Sequence, residues 1–412
     1  MFQIKTKVGC RMAGRIRRGR FLIPTSAFLV VAICITQTLF VIRPMSLANL
    51  LHNSLLNKDL QLASQTAGKL AWYRPDDVDL IFQRADLASR LDDKAKAAEI
   101  LKTIPERSAR AASAQFARAL ILRELYQLDA AELSFKQALR SDSQMLEARR
   151  SLVGLMGIER RETDQLTELW SWHQSGVSVI EPLRLIAQSV VVIPPGTLAK
   201  TIDEGMVLEK SVQAEPENPH VRPALARYYR NRGEVEKALG LLDNWLKTHQ
   251  EDVPGQIERL FCLVEAGELE SASLVISKAP EAWRKSANFW IVTGDHQRNQ
   301  SQWQEAVQAY EQALLIDSRQ PETYYRLAEC KRALGLGSEA AKLLDQHASI
   351  RKLAELAASV DPNTPEVSGM MAVANHCRSL NRDREARAWA MEVLRLDRNH
   401  SEARSLVDQV KP

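Results

Sequence analysis

Residues 287–320 read ANFWIVTGDHQRNQSQWQEAVQAYEQALLIDSRQ, and this stretch decides the fold. Trp290, Gly294, Trp303, Ala306, Tyr310 and Ala313 stand at the offsets of a helix-turn-helix hairpin. Small residues fall where two paired helices must cross closely. Large ones fill the gap between one hairpin and the next.

Ala306 belongs to a series. The small residue opening the middle of each second helix recurs at Ala63, Ala97 and Ala131, then at Ala238, Ala272, Ala306 and Ala340, with every step within each run equal to 34. This spacing is the signature of a repeat array, in which each unit buries its apolar face only by stacking on its neighbours. Further partial matches are Leu225-Ala226 with Gly233, Tyr324 and Leu327-Ala328 with Gly335, and Val373-Ala374 with Ala386 and Leu394.

These residues resemble the tetratricopeptide repeat family: a large aromatic, then Gly or Ala, then Ala, an aromatic and another Ala. The closing Pro of that pattern is kept at Pro75 and replaced by Ser143, Ser318 and Arg398. The resemblance covers nearly everything after residue 43. It implies an all-α solenoid, a right-handed superhelix of about ten hairpins, whose curved inner face binds protein or peptide.

Laid along the chain, the frame gives an N-terminal array over 44–145, degenerate repeats over 146–218, a C-terminal array over 219–400, and a capping helix over 401–412. Two departures from the period stand out. Ala131 to Ala238 exceeds three periods by five, and the stretch 174–200, rich in β-branched residues and prolines, is expected to be a loop or bend. Ala340 to Ala386 exceeds one period by twelve, and the unbroken run QHASIRKLAELAASV predicts an extended second helix.

Ahead of the array lies a different composition. Residues 1–43 contain eight Lys and Arg and no acid, against a net charge of +4 for the whole chain, so the remainder carries −4. Residues 1–20 form a basic leader. From Phe21 to Ile42 run 22 residues without a charge. As a helix they span about 33 Å, enough to cross a bilayer core. The segment 21–43 is therefore expected to be a single-pass anchor. Its basic side lies in the cytoplasm, and the repeats stand on the periplasmic side of a bacterial inner membrane. A cleavable signal ending at Ser46-Leu47-Ala48 is the rival reading. The length of the apolar run and the membership of residues 44–56 in the first repeat favour the anchor.

The acidic body gives no reason to expect nucleic-acid binding. Five cysteines, at 10, 34, 262, 330 and 377, form no CxxC pair and keep no regular spacing to histidine, which argues against a disulfide framework or zinc site. Cys262, Cys330 and Cys377 take positions ten, ten and eleven of their units, and are expected in the core. No phosphate-cradling loop, no nucleophile elbow and no dinucleotide fingerprint appears. No cofactor, metal or catalytic residue is expected, and the chain reads as a non-enzyme. Trp290 and Trp303 are expected in the core, whereas Trp170 and Trp172, in the degenerate unit, are expected to be partly exposed.

One pattern exceeds background. The family resemblance implies that the first helix of each hairpin lines the inner groove. At position twelve of that helix stand Arg123, Arg230, Arg298, Arg332 and Arg378. Phe82, Phe116, Ile257, Phe261, Ile291 and Tyr325 take neighbouring groove positions. A guanidinium ladder of this kind suits an acidic peptide. The bland reading is a solvated face whose cations complement the helix dipole. The functional expectation is a membrane-anchored adaptor assembling an envelope complex. The alternatives are a self-associating scaffold, and a glycan binder using Trp170 and Trp172 as stacking platforms.

Overall fold

The computed structural model describes residues 35–188 and 203–409. Among them are 21 α-helices and no strand. Two compact units divide at residue 91.

The first unit holds α1 (Arg43–Leu56), α2 (Leu60–Tyr73) and α3 (Val78–Arg90). Asp59 and Asp77 begin α2 and α3 by accepting from the backbone N–H of Leu62 and Leu80, which satisfies donors that a helix start leaves free. Leu51, Ala63, Ala67, Leu70, Leu80 and Leu87 make its core. Most of the expected anchor, residues 21–34, lies outside the described residues. From 35 the backbone is helical, passing through a π-turn at Thr38–Ile42 into α1. No helix of the described residues is long and apolar enough to cross a membrane.

The second unit begins with α4 (Lys94–Lys102), α5 (Ala111–Glu124), α6 (Leu128–Ser141), α7 (Leu146–Ile158), α8 (Glu162–Gln174), α9 (Ile180–Ala187) and α10 (Glu204–Ala214). It continues with α11 (Val221–Asn231), α12 (Val235–Leu246), α13 (Val253–Glu265), α14 (Leu269–Ser277), α15 (Ala287–Asn299) and α16 (Trp303–Ile316). The last helices are α17 (Pro321–Ala333), α18 (Gly337–Ser359), α19 (Val367–Ser379), α20 (Asp383–Leu396) and α21 (Ser401–Gln409).

The period is written into the backbone. A residue with positive φ recurs at 58, 92, 126 and 160, then at 233, 267, 301 and 335, each time in the turn that follows a helix. Only Gly233, Gly267 and Gly335 use the residue for which that conformation is free of strain; Lys, Asp, Tyr, Arg and Ser take the others. Five residues after each turn stands the small residue of the repeat, and all seven alanines of the two runs are at most 1% exposed. After Arg160 the same place is taken by Gln165, whose Nε2 donates to the Val153 carbonyl at 2.9 Å. The degenerate repeat expected here thus keeps its turn where the alanine series breaks.

Close crossing explains Gly294. A Cβ there would lie 2.6 Å from Cε1 of Tyr310, a fully buried ring whose hydroxyl donates to Asp295 at 2.7 Å. Gly294→Ala is expected to lower stability by about 1–3 kcal/mol through overpacking. Denaturant unfolding checks this, and an unchanged midpoint would count against the contact.

The extended second helix is present as α18, 23 residues long. Of the stretch 174–200, residues Ile180–Ala187 are helical and 189–202 lie outside the described residues. Helix α9 is buried on the extra turns of α18 and on α20. Leu183, Ile186, Leu353, Ala357 and Trp389 share one core. Each fully buried aliphatic side chain there contributes about 1.5–3 kcal/mol. Two arginines cap the contact. Arg184 donates to the Ala357 and Ala358 carbonyls at 3.1 and 2.8 Å, and Arg382 donates to the Ile186 carbonyl at 3.1 Å. Both reach the carbonyl ends of helices, where a cation is favoured.

The expectation for Trp170 and Trp172 is overturned. Trp172 is fully buried, its indole N–H donating to the Val177 carbonyl at 2.9 Å, and Trp170 is 8% exposed beneath the Arg384 guanidinium. The core that they share with the C-terminal helices covers them, so neither is a stacking platform. Trp290 and Trp303 are half-buried against their cores. The three described cysteines are buried and free. Burial pushes their thiols up, to about 12 at Cys262 and Cys377 and about 11 at Cys330. They act as small apolar side chains.

Candidate functional site

The position-twelve arginines do not form a free ladder. Arg230 donates to Glu258 at 2.6 Å and to Glu265, and its guanidinium lies 4.8 Å above the Phe261 ring. Arg298 bonds Glu329 at 3.1 Å, and Arg378 bonds Asp383 at 2.6 Å. Their carboxylates are internal. Arg332 is exposed and Arg123 half-buried, and neither forms an ion pair among the described residues. Burial holds the Arg123 guanidinium below its ordinary range, though still cationic.

The apolar groove candidates also separate. Phe261 is buried, Phe116 is half-buried with its centroid 6.0 Å from Phe135, and Phe82 is half-buried in the first unit. Ile257 and Ile291 belong to the core. Tyr325 is 44% exposed beside His347.

What the first helices carry instead is a set of pairs 31 residues apart. Arg227 meets Glu258, Arg298 meets Glu329, and Asp295 meets Arg326, the last at 2.6 Å. Neighbouring first helices are offset by one period less about one helical turn, so residues i and i+31 face each other across their seam. This signal was available in the sequence, as opposite charges at that separation.

The densest polar cluster surrounds Arg161, which follows the left-handed turn at Arg160. Its guanidinium reaches Glu132 at 2.5 Å, Glu159 at 2.9 Å and Asp164 at 2.7 Å. Burial pushes the Glu159 carboxyl up to about 7 against the pull of Arg161. Burial also works against ionised Glu132, but hydrogen bonds from Arg161 and Lys136 prevail and hold it below the usual carboxylate range. Beside the cluster, Arg227 bridges Glu162 at 2.6 Å and Glu258 at 3.2 Å. Burial holds the neighbouring His220 below its ordinary value, so its ring stays neutral at pH 7.

Of these groups Glu162 also lines a cleft of about 870 Å³ within the second unit, bordered by the turns before α8, α15, α17 and α20. Asp317 and Arg319 pair with each other on its wall at 2.8 Å, and Arg382 pairs with Glu385 at 3.0 Å. Two exposed cations stand apart from this cancellation. Among the described residues Lys285 has no carboxylate partner, and Arg384 has only the face of Trp170, 3.8 Å away. Ile316, which lines the same cleft, presents an apolar side chain that is 45% exposed. Lys285, Ile316 and Arg384 carry no motif in the sequence. Among the described residues, no group of His, Cys, Asp and Glu could hold a metal ion.

A family model for the tetratricopeptide repeat matches residues 298–358. That segment carries such repeats, and the turns at 233 and 267 before it keep the same 34-residue period. No curated protein matches the chain. Among solved structures, the chain is similar to the APC/C hetero-tetramer Cut9–Hcn1, at 14% identity over 93% of this chain and 99% of that one, with a TM-score of 0.35. A tetratricopeptide repeat protein from Parabacteroides merdae matches at 14% identity over 72% and 99%, with a TM-score of 0.27. The P58(IPK) TPR domain matches at 14% over 89% and 97%, also at 0.27. None of these likenesses carries a function to this chain.

Proposed function

We propose that the protein is a membrane-anchored adaptor that holds an extended, acidic segment of a partner protein in the cleft of its second unit. The observation that carries this reading is the pair of cations without a carboxylate partner, Lys285 and Arg384, lining the same cleft as exposed Ile316. A mixed cation and apolar wall suits a peptide carrying carboxylates around an apolar side chain. The repeat fold supports protein binding over catalysis, and the charge-free run 21–42 supports the anchor. Anchoring would raise the effective concentration of partners held at the same membrane, in keeping with assembly of an envelope complex.

Arg230 and Arg298 are poor targets for testing this, because reversing either would break an internal pair. The doubly reversed Lys285→Glu, Arg384→Glu protein is the better probe. In a crosslinked pull-down from native membranes, it is expected to lose proteins that the wild type captures, with helical circular dichroism unchanged. Equal capture by both would place the binding surface elsewhere. Capture of nothing but further copies of the chain would replace the adaptor by a self-assembling scaffold.

A further inference from the structure

We infer that the first hairpin rests against the lipid headgroup layer through one end, with Trp72 as its interfacial anchor. This rests on the membrane-anchor reading above and adds to it a fixed posture for the first unit.

Trp72 is 71% exposed near the C-terminal end of α2, although it is the largest apolar side chain in the unit. Tyr73 stands edge-on to it, ring centroids 4.7 Å apart. Helices α1 and α2 run antiparallel, so the end of α2 lies beside the start of α1; Ala48, Leu51, Leu70 and Arg74 border one depression there. The π-turn leading into α1, with Met45 beyond it, exposes apolar side chains as well. Phe40, Ile42 and Met45 are 65%, 58% and 60% exposed.

Continuity in the chain identifies the occupant. The backbone is helical from 35 through 56, and the residues from 21 to 42 carry no charge. The end of the hairpin that holds Trp72 is therefore the end from which the spanning-length run departs. At that level of a bilayer, Trp and Tyr are favoured because each joins an apolar body to a polar tip. Exposed Arg43, Lys69 and Arg74 lie at the same end. Their aliphatic stems can lie along acyl chains while the charges meet anionic headgroups. An aromatic pair, exposed apolar side chains and three cations fit a bilayer interface better than water.

The test uses the full chain reconstituted in vesicles of phosphatidylcholine and phosphatidylglycerol, with and without lipid brominated near the headgroup. Residues 1–169 contain no tryptophan besides Trp72, so the anchor itself is silent in emission. Brominated lipid is expected to quench part of the emission of the wild type, and Trp72→Phe is expected to remove most of that quenching while vesicle binding persists. Equal quenching in wild type and variant would overturn the proposal. So would an unquenched wild type that nonetheless sediments with vesicles, which would leave this end to a protein partner. A chain that fails to sediment with vesicles at all would overturn the anchor reading, and this inference with it.

Discussion

Replacing Trp172 with Ala is expected to lower the stability of the second unit by about 3–5 kcal/mol, the range for deleting a fully buried indole. The side chain has no exposed surface, and its N–H bond to Val177 fixes the turn leading to α9. It shares a core with Leu353 of α18 and Trp389 of α20, 181 and 217 residues further on. The consequence should therefore appear far away in sequence. Hydrogen exchange is expected to accelerate in α8 and α9 and also in α18 through α20, while α15 and α16 keep their protection. Acceleration confined to α7–α9 would mean that the two segments do not share one cooperative core.

The second large effect concerns Arg161. Its removal as Arg161→Met leaves Glu159 with no charged partner and Glu132 with Lys136 alone, and should destabilise by about 3–5 kcal/mol near pH 8. The pH dependence follows from Glu159. Its carboxyl titrates in the folded protein at about 7, above the ordinary range, so folding favours its protonated form. Stability linked to this group is complete below the ordinary carboxylate range and is lost as pH rises to about 7, by roughly 3 kcal/mol. Glu159→Gln should hold its stability across that interval while the wild type loses it. The Arg161→Met defect should shrink on acidification, as the stranded carboxyl takes up a proton, and Glu159→Gln in that background should restore part of the loss at pH 8. A defect of the same size at pH 5.5 and 8 would remove Glu159 from the explanation.

Much of this architecture was legible before any coordinates. The alanine series places seven turns correctly because a crossing of two helices admits only a small side chain, and that requirement leaves a mark at a fixed spacing. The repeat around Gln165 was legible only as a degenerate unit, because a longer side chain can fill the same site when its amide finds a backbone carbonyl. The arginine pattern was visible, but its meaning was not. A cation at position twelve looks the same in a sequence whether its carboxylate belongs to a peptide or to the next hairpin. Opposite charges 31 residues apart would have decided the matter for Arg298.

By itself, then, the sequence determined the helices, their pairing and the period of the described array, since these depend on local spacing and on contacts between adjacent repeats. It also marked the two places where the period fails. Only the tertiary structure decided that these two irregularities are partners: α9, from the first, is buried on the extra turns of α18, from the second. The physical reason is that an apolar helix face specifies that it must be covered, not by what. Hydrophobic burial has no direction, and segments 173 to 196 residues apart leave no periodic trace of their meeting. The same holds for the cleft, where Lys285 and Arg384 gain significance only because, among the described residues, the other charges lining it have partners.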